Sequence, residues 1–170
     1  LSQKENLLAE ETRKYIYSLA DKKAKMDYVH ALYTKNKRKE NHVKNTYLAN
    51  YPEVKDFHWD IRFLDGKDYT GEINLLVGGS PCQAFSTAGK QRGFEDYRGD
   101  LFFQVARVVE VTKPKVIFLE NVANLLEHDE GKSFLTVYNA LAPFGYSFKY
   151  QVMEPYEYGN IPQTRARVFI

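Results

Sequence analysis

Cys82 is the single cysteine of a 170-residue chain, and it stands in the run Gly78-Gly79-Ser80-Pro81-Cys82-Gln83-Ala84-Phe85-Ser86. A lone cysteine is by default a small buried hydrophobe. Here a glycine-rich, polar surrounding argues for a sulfur that is presented and held. Pro81 fixes its own backbone angle and restricts Ser80, so the thiol is positioned at low entropic cost. A thiol with a reference pKa of roughly 8.5 attacks at neutral pH only with help from a cation or a helix N-terminus. Arg167 and Lys90 are the candidate cations. A second chemical run is Phe118-Leu119-Glu120-Asn121-Val122. A carboxyl group at the end of a buried strand is partly desolvated, which tends to raise its pKa and lets it share a proton with a ring nitrogen. The third run is Gln163-Thr164-Arg165-Ala166-Arg167. In an extended segment Arg165 and Arg167 face one way together, suited to a carboxylate, a phosphate or a carbonyl oxygen. The histidines at 30, 42, 58 and 128 have no metal-ligand spacing, and no metal is expected.

The elements that must position these groups follow from the hydrophobic pattern. Residues 1–50 read as a helical, basic segment. Leu7, Leu8, Tyr15 and Leu19 suggest an apolar stripe on a first helix, a second helix is expected around Met26–Tyr33, and a third from about Lys39 to Asn50, ended by Pro52. From residue 51 to 170 the character is that of an α/β catalytic portion. Ile73–Val77 is a short apolar run delivering the Gly78–Ser86 loop. Asp100 is a candidate N-cap for a helix that Lys113-Pro114 stops. Val116–Leu119 is a second apolar strand, ending at Glu120-Asn121. A helix fits Ser133–Leu141, a strand fits Tyr146–Met153, and another begins at Arg167–Ile170. Alternating strands and helices predict a mostly parallel α/β sheet, whose functional groups gather at the carboxyl ends of the strands. The last residues fall inside an apolar run, as expected for a segment of a longer protein.

Composition sets the bounds. Apolar residues are 44% and charged residues 27%, ordinary for a folded domain, whereas aromatics reach 15%, enough to supply faces for a nucleic acid or a cofactor beyond the core. One cysteine excludes an internal disulfide. No apolar stretch approaches the roughly 18 residues of a membrane span, there is no signal-peptide pattern, and a cytoplasmic location is expected. Net charge is only +2, but residues 1–44 hold 11 Lys/Arg against 6 Asp/Glu (+5) and the remainder 13 against 16 (−3). This basic N-terminal segment could meet DNA phosphates or simply form a solvated helical face.

Together the three runs resemble the bacterial DNA (cytosine-5) methyltransferases of restriction–modification systems. Pro81-Cys82-Gln83 resembles the family's nucleophile motif, Glu120-Asn121-Val122 its glutamate motif and Gln163-x-Arg165-x-Arg167 its arginine motif. Gly89–Asp96 and Arg98–Phe102 resemble the loop and helix after the nucleophile. The resemblance covers about residues 41–170. It implies a Rossmann-like methyltransferase sheet, S-adenosylmethionine as cofactor and double-stranded DNA as partner. In its terms Cys82 attacks C6 of a flipped cytosine, Glu120 holds the ring at N3, Arg167 binds the carbonyl oxygen, and Arg165 helps to position Glu120 and the DNA. Asp60, Ile61, Pro81 and Leu101 would line the cofactor site, and Gln83, Ser86, Lys90 and Asn121 would meet DNA.

The chain also departs from that family. Its Phe-x-Gly-x-Gly cofactor loop is not recognisable in residues 1–40, and no target-recognition domain follows the arginine motif. A missing segment or a second subunit is expected to supply both, and the isolated chain is expected to be inactive. The competing reading is a non-catalytic DNA-binding or assembly module that keeps the fold. A thiol redox or hydrolase reading is disfavoured, because there is no Cys-x-x-Cys and no histidine is placed near the thiol.

Overall fold

Two apolar strands and the helix between them form the frame that carries the chemical groups. The computed structural model describes residues 3–35, 41–80 and 101–170. Pro81, Cys82, Gln83, Ser86, Lys90 and Asp100 lie outside the described residues, as does most of the Lys35–Lys39 run. Strand β1 is Leu75–Gly79, helix α4 is Leu101–Thr112 and strand β2 is Val116–Val122. The crossover through α4 makes β1 and β2 parallel, with Leu75 opposite Val116 and Gly79 opposite Glu120. Helix α5 (Lys132–Leu141) follows, then β3 (Gln151–Met153), the short α6 (Pro155–Tyr158) and β4 (Arg167–Phe169).

The four-stranded sheet has the order β1-β2-β4-β3, and β4 runs antiparallel to both of its neighbours. Only one of its pairings is parallel, so the expectation of a mostly parallel sheet does not hold. The reason is the connection: β3 and β4 are joined without the long helical crossover that a parallel pair requires. The strand expected over Tyr146–Met153 also shortens to its last three residues. β1 starts later than the apolar run suggested and takes in Gly78 and Gly79, which therefore belong to the strand.

One face of the sheet is covered. Phe102, Ala106 and Val109 of α4 and Val137 and Leu141 of α5 pack on Leu119 and Val168, with Leu76, Ile117 and Ile170 partly buried beside them. α4 gains its stop from Lys113, whose φ of 46° is left-handed, and from Pro114. The other face carries Leu75, Val77, Val116 and Phe118, all exposed, and Phe118 stacks on Phe169 of β4 at 5.4 Å. Alternation along each strand places Gly79, Glu120 and Arg167 on this second face.

Cα packing divides the chain into two units, Leu1–Asp65 and Gly66–Ile170. The first contains helices α1 (Gln3–Ser18), α2 (Lys22–Lys35) and α3 (His42–Asn50) and a 3-10 turn at Ile61–Phe63. The anticipated stripe on α1 is not its buried side: Leu7 and Leu8 are exposed by 57% and 64%, whereas Ile16 is fully buried. α1 is charged on several sides, so a few leucines gave no unique face. α3 begins at an Asn41 cap, whose side-chain oxygen accepts from the Lys44 N–H at 3.0 Å. No helix among the described residues is long and apolar enough to cross a membrane.

Candidate active site

At the carboxyl end of β2 the chain places an acid and an amide on opposite faces of the sheet. Glu120 lies on the open face, and its Oε1 forms an ion pair with Arg167 Nε at 2.8 Å, with side chains 40% and 19% exposed. Opposite charges this close favour the ionised carboxylate and draw it toward the guanidinium. The Arg167 guanidinium is braced in turn, since Nη1 donates to the Ala166 carbonyl at 2.8 Å. The carboxylate also lies directly over β1: a Cβ built on Gly79 would come within 2.9 Å of Glu120 Oε2.

Asn121 points the other way and is only 5% exposed. Its Nδ2 donates to the Ser80 carbonyl at 2.9 Å and to Ser80 Oγ at 3.0 Å, while its Oδ1 accepts the Val122 N–H at 2.8 Å. Its polar groups are thus committed inside the protein, at the point where β1 runs toward Pro81 and Cys82. The structure therefore brings together Glu120, Asn121 and Arg167 of the sequence-identified residues. Arg165 lies before β4 with its side chain exposed, and its backbone N–H donates to Glu154 Oε2 at 2.9 Å. Two contributors escaped the sequence reading, Gly79 and Ser80. Two glycines closing an apolar run hinted at an unusual strand end, but only the pairing register shows what the second one faces.

Asp60 and Ile61 belong to the first unit. Asp60 caps the 3-10 turn, accepting from the Arg62 N–H at 2.9 Å. Arg62 Nε reaches both of its oxygens at 3.0 Å, Nη2 reaches Oδ2 at 2.6 Å, and the Tyr33 hydroxyl donates to the same oxygen. Burial works to raise the Asp60 pKa, but the bonds from Arg62 and Tyr33 outweigh it and hold the carboxyl below its usual range. Tyr33 is pushed up, first by burial and then by donating to Asp60. The adjacent hollow, lined by Met26, Val29, Phe57, His58, Trp59, Asp60 and Phe63, has room for about one water molecule. Pockets for drug-sized ligands run to roughly 300–1,000 Å³. With Asp60 already engaged, this hollow does not by itself fit S-adenosylmethionine. Leu101, the first residue of α4, is partly exposed.

Residues 18–170 match the profile of the C-5 cytosine-specific DNA methylases. The chain is 50% identical over 131 residues to the type II methyltransferase M.HhaI of Haemophilus parahaemolyticus, covering 77% of this chain and 39% of the relative. It is 46% identical over 126 residues to the type II methyltransferase M.Bsp6I of a Bacillus species, covering 74% and 39%. It thus spans about two-fifths of the length of these relatives. Among solved structures, the Dnmt2 methyltransferase of S. pombe superposes with a TM-score of 0.54 at 23% identity, over 76% of this chain and 38% of that one. The fold is that of the S-adenosylmethionine-dependent methyltransferases, seen here as part of the sheet with helices before it.

Proposed function

The chain belongs to the C-5 cytosine-specific DNA methylase family, and from that premise we propose that it carries the base-handling part of a methyl transfer to C5 of cytosine in DNA. The observation that supports this most is the Glu120–Arg167 pair at the carboxyl end of β2, level with the strand end that leads to Cys82. The target atoms are inaccessible in stacked DNA, so the cytosine must be flipped out. The Cys82 thiolate then adds to C6, and the electrons of the C5–C6 bond make C5 nucleophilic. Glu120 meets the ring at N3 and supplies a proton there as the thiolate adds. Arg167 offsets the charge that builds on the carbonyl oxygen and holds the acid in place. S-adenosylmethionine is the methyl donor. Loss of the C5 proton to a base lets the C5–C6 double bond re-form and the thiolate depart. Arg165 is assigned to DNA and to the support of Glu120, and Asn121 to the protein itself.

One observation favours the competing reading of a non-catalytic DNA-binding or assembly module: Asp60, assigned to the cofactor, is tied to Arg62 and Tyr33. Trapping separates the two. DNA with 5-fluorocytosine at the target should form a covalent adduct with the complete protein, since fluorine does not leave as a proton does. Peptide mapping should place the adduct at Cys82, and Cys82→Ser should give none, because a hydroxyl is a far poorer nucleophile than a thiolate. Glu120→Gln should slow trapping by about 10²-fold or more. An adduct at another residue, or full-rate trapping by Glu120→Gln, removes this mechanism. Specific DNA binding without any adduct establishes the module reading.

A further inference from the structure

We propose that Gly79 and Asn121 are positioning residues that set the Glu120 carboxylate against the end of β1, from which the chain continues to Cys82. The proposal rests on the reading of Glu120 as the acid. Gly79 and Glu120 are register partners and share a face of the sheet. The carboxylate occupies the space that a side chain at position 79 would need, since a Cβ there would lie 2.9 Å from Glu120 Oε2. The backbone does not require glycine at this point. The described glycines with positive φ are Gly71, Gly131 and Gly145, and Gly79 is not among them. What glycine supplies at position 79 is room, and the atom that must give way is the tip of a side chain rather than backbone. Gly78 offers the contrast: among the described residues a Cβ there meets nothing within 4 Å.

On the covered face the next residue along β2 works on the same strand end. Asn121 Nδ2 bonds the Ser80 carbonyl and hydroxyl, while its own oxygen is anchored on the Val122 N–H. Successive residues of β2 therefore grip the end of β1 from both sides, one by occupying the gap at Gly79 and the other by clamping Ser80. Sliding β1 by one residue would undo both at once. This couples the acid to the chain that leads to the thiol through the pairing register.

The test compares Gly79→Ala with Gly78→Ala. In the complete protein Gly79→Ala should lower kcat by about 10²-fold, the scale of a misplaced catalytic group, and leave the KM for DNA unchanged. Gly78→Ala should keep kcat, and both should melt no lower than the parent, because alanine suits a strand better than glycine. In the complete protein the Arg167 Nε–H resonance should move in Gly79→Ala and stay in Gly78→Ala. Asn121→Asp keeps the shape and removes the donor to Ser80; it should lower kcat without changing the KM for DNA. Gly79→Ala with full kcat and an unmoved Arg167 signal overturns the proposal. Glu120→Gln separates this failure from that of the underlying reading. If it is inactive while Gly79→Ala runs at full rate, only the positioning role falls; if it is fully active, the acid assignment falls and takes the proposal with it.

Discussion

Two arginine–carboxylate pairs, one in each unit, use the same chemical groups to opposite ends. In the first unit Asp60 and Arg62 are two apart in sequence, and the carboxylate is 12% exposed. Both of its oxygens are occupied, and Tyr33 completes the set. In the second unit Glu120 and Arg167 meet across paired strands in a single ion-pair contact, and the acid is 40% exposed. Among the described residues Oε2 of Glu120 makes no hydrogen bond. The first pair is closed and spends its bonding capacity on a turn. The second is held at one oxygen and leaves the other available. The lesson is that charge and pairing alone do not separate a carboxylate spent on the fold from one with bonding capacity left over.

Removing the arginine from each pair should separate the two roles. Arg167→Ala is expected to cost the larger effect, about 10²–10³-fold in kcat, the range for losing one charge-stabilising donor. Its stability cost should stay within about 1 kcal/mol, because the partner acid is substantially exposed and screened. Arg62→Ala should reverse the pattern. It leaves a largely buried carboxylate with fewer partners, and a loss of about 2 kcal/mol is expected. Turnover per folded molecule of the complete protein should hardly change. Thermal melts and single-turnover rates on both variants check this. Equal losses of stability for the two would break the comparison.

Legibility in the sequence followed the same division. The helix over Leu101–Thr112 and the strand ending at Glu120-Asn121 were readable because long apolar periods and a proline stop point to one answer. The short β3 and the antiparallel β4 were not readable, since three-residue strands carry no period and direction depends on connections elsewhere. Glu120 and Arg167 could be singled out as candidates, but the gap at Gly79 and the clamp on Ser80 depend on register. Asp60 illustrates the converse. It could be singled out from the sequence, yet Tyr33 lies 27 residues earlier in the chain and no local pattern announces that it will reach Asp60.

The smallest expected effect concerns that tyrosine, and its sign follows from the two shifted groups. Asp60 is held below its ordinary value of 3.8, so its contribution is present above that pH and is lost as pH falls through the lower folded value. Tyr33 is raised above 10.0, so its contribution is present below that pH and is lost as pH rises through the higher folded value. The trio should therefore support the first unit across the whole neutral range and weaken at both extremes. Tyr33→Phe removes the hydroxyl but keeps a ring to stack on Trp59, which Tyr33 faces at 5.5 Å and 7°. It should cost about 1 kcal/mol at neutral pH, a typical net value for one hydrogen bond. Its acid transition should begin at higher pH than in the parent, because one of the bonds that favour the ionised Asp60 is gone. The alkaline loss due to Tyr33 should vanish, since nothing remains at that position to ionise. Melting curves across the pH range, read through the Trp59 fluorescence, decide the matter. An acid transition unmoved by Tyr33→Phe would mean that Arg62 alone holds Asp60, and the first pair would then be closed by one partner instead of two.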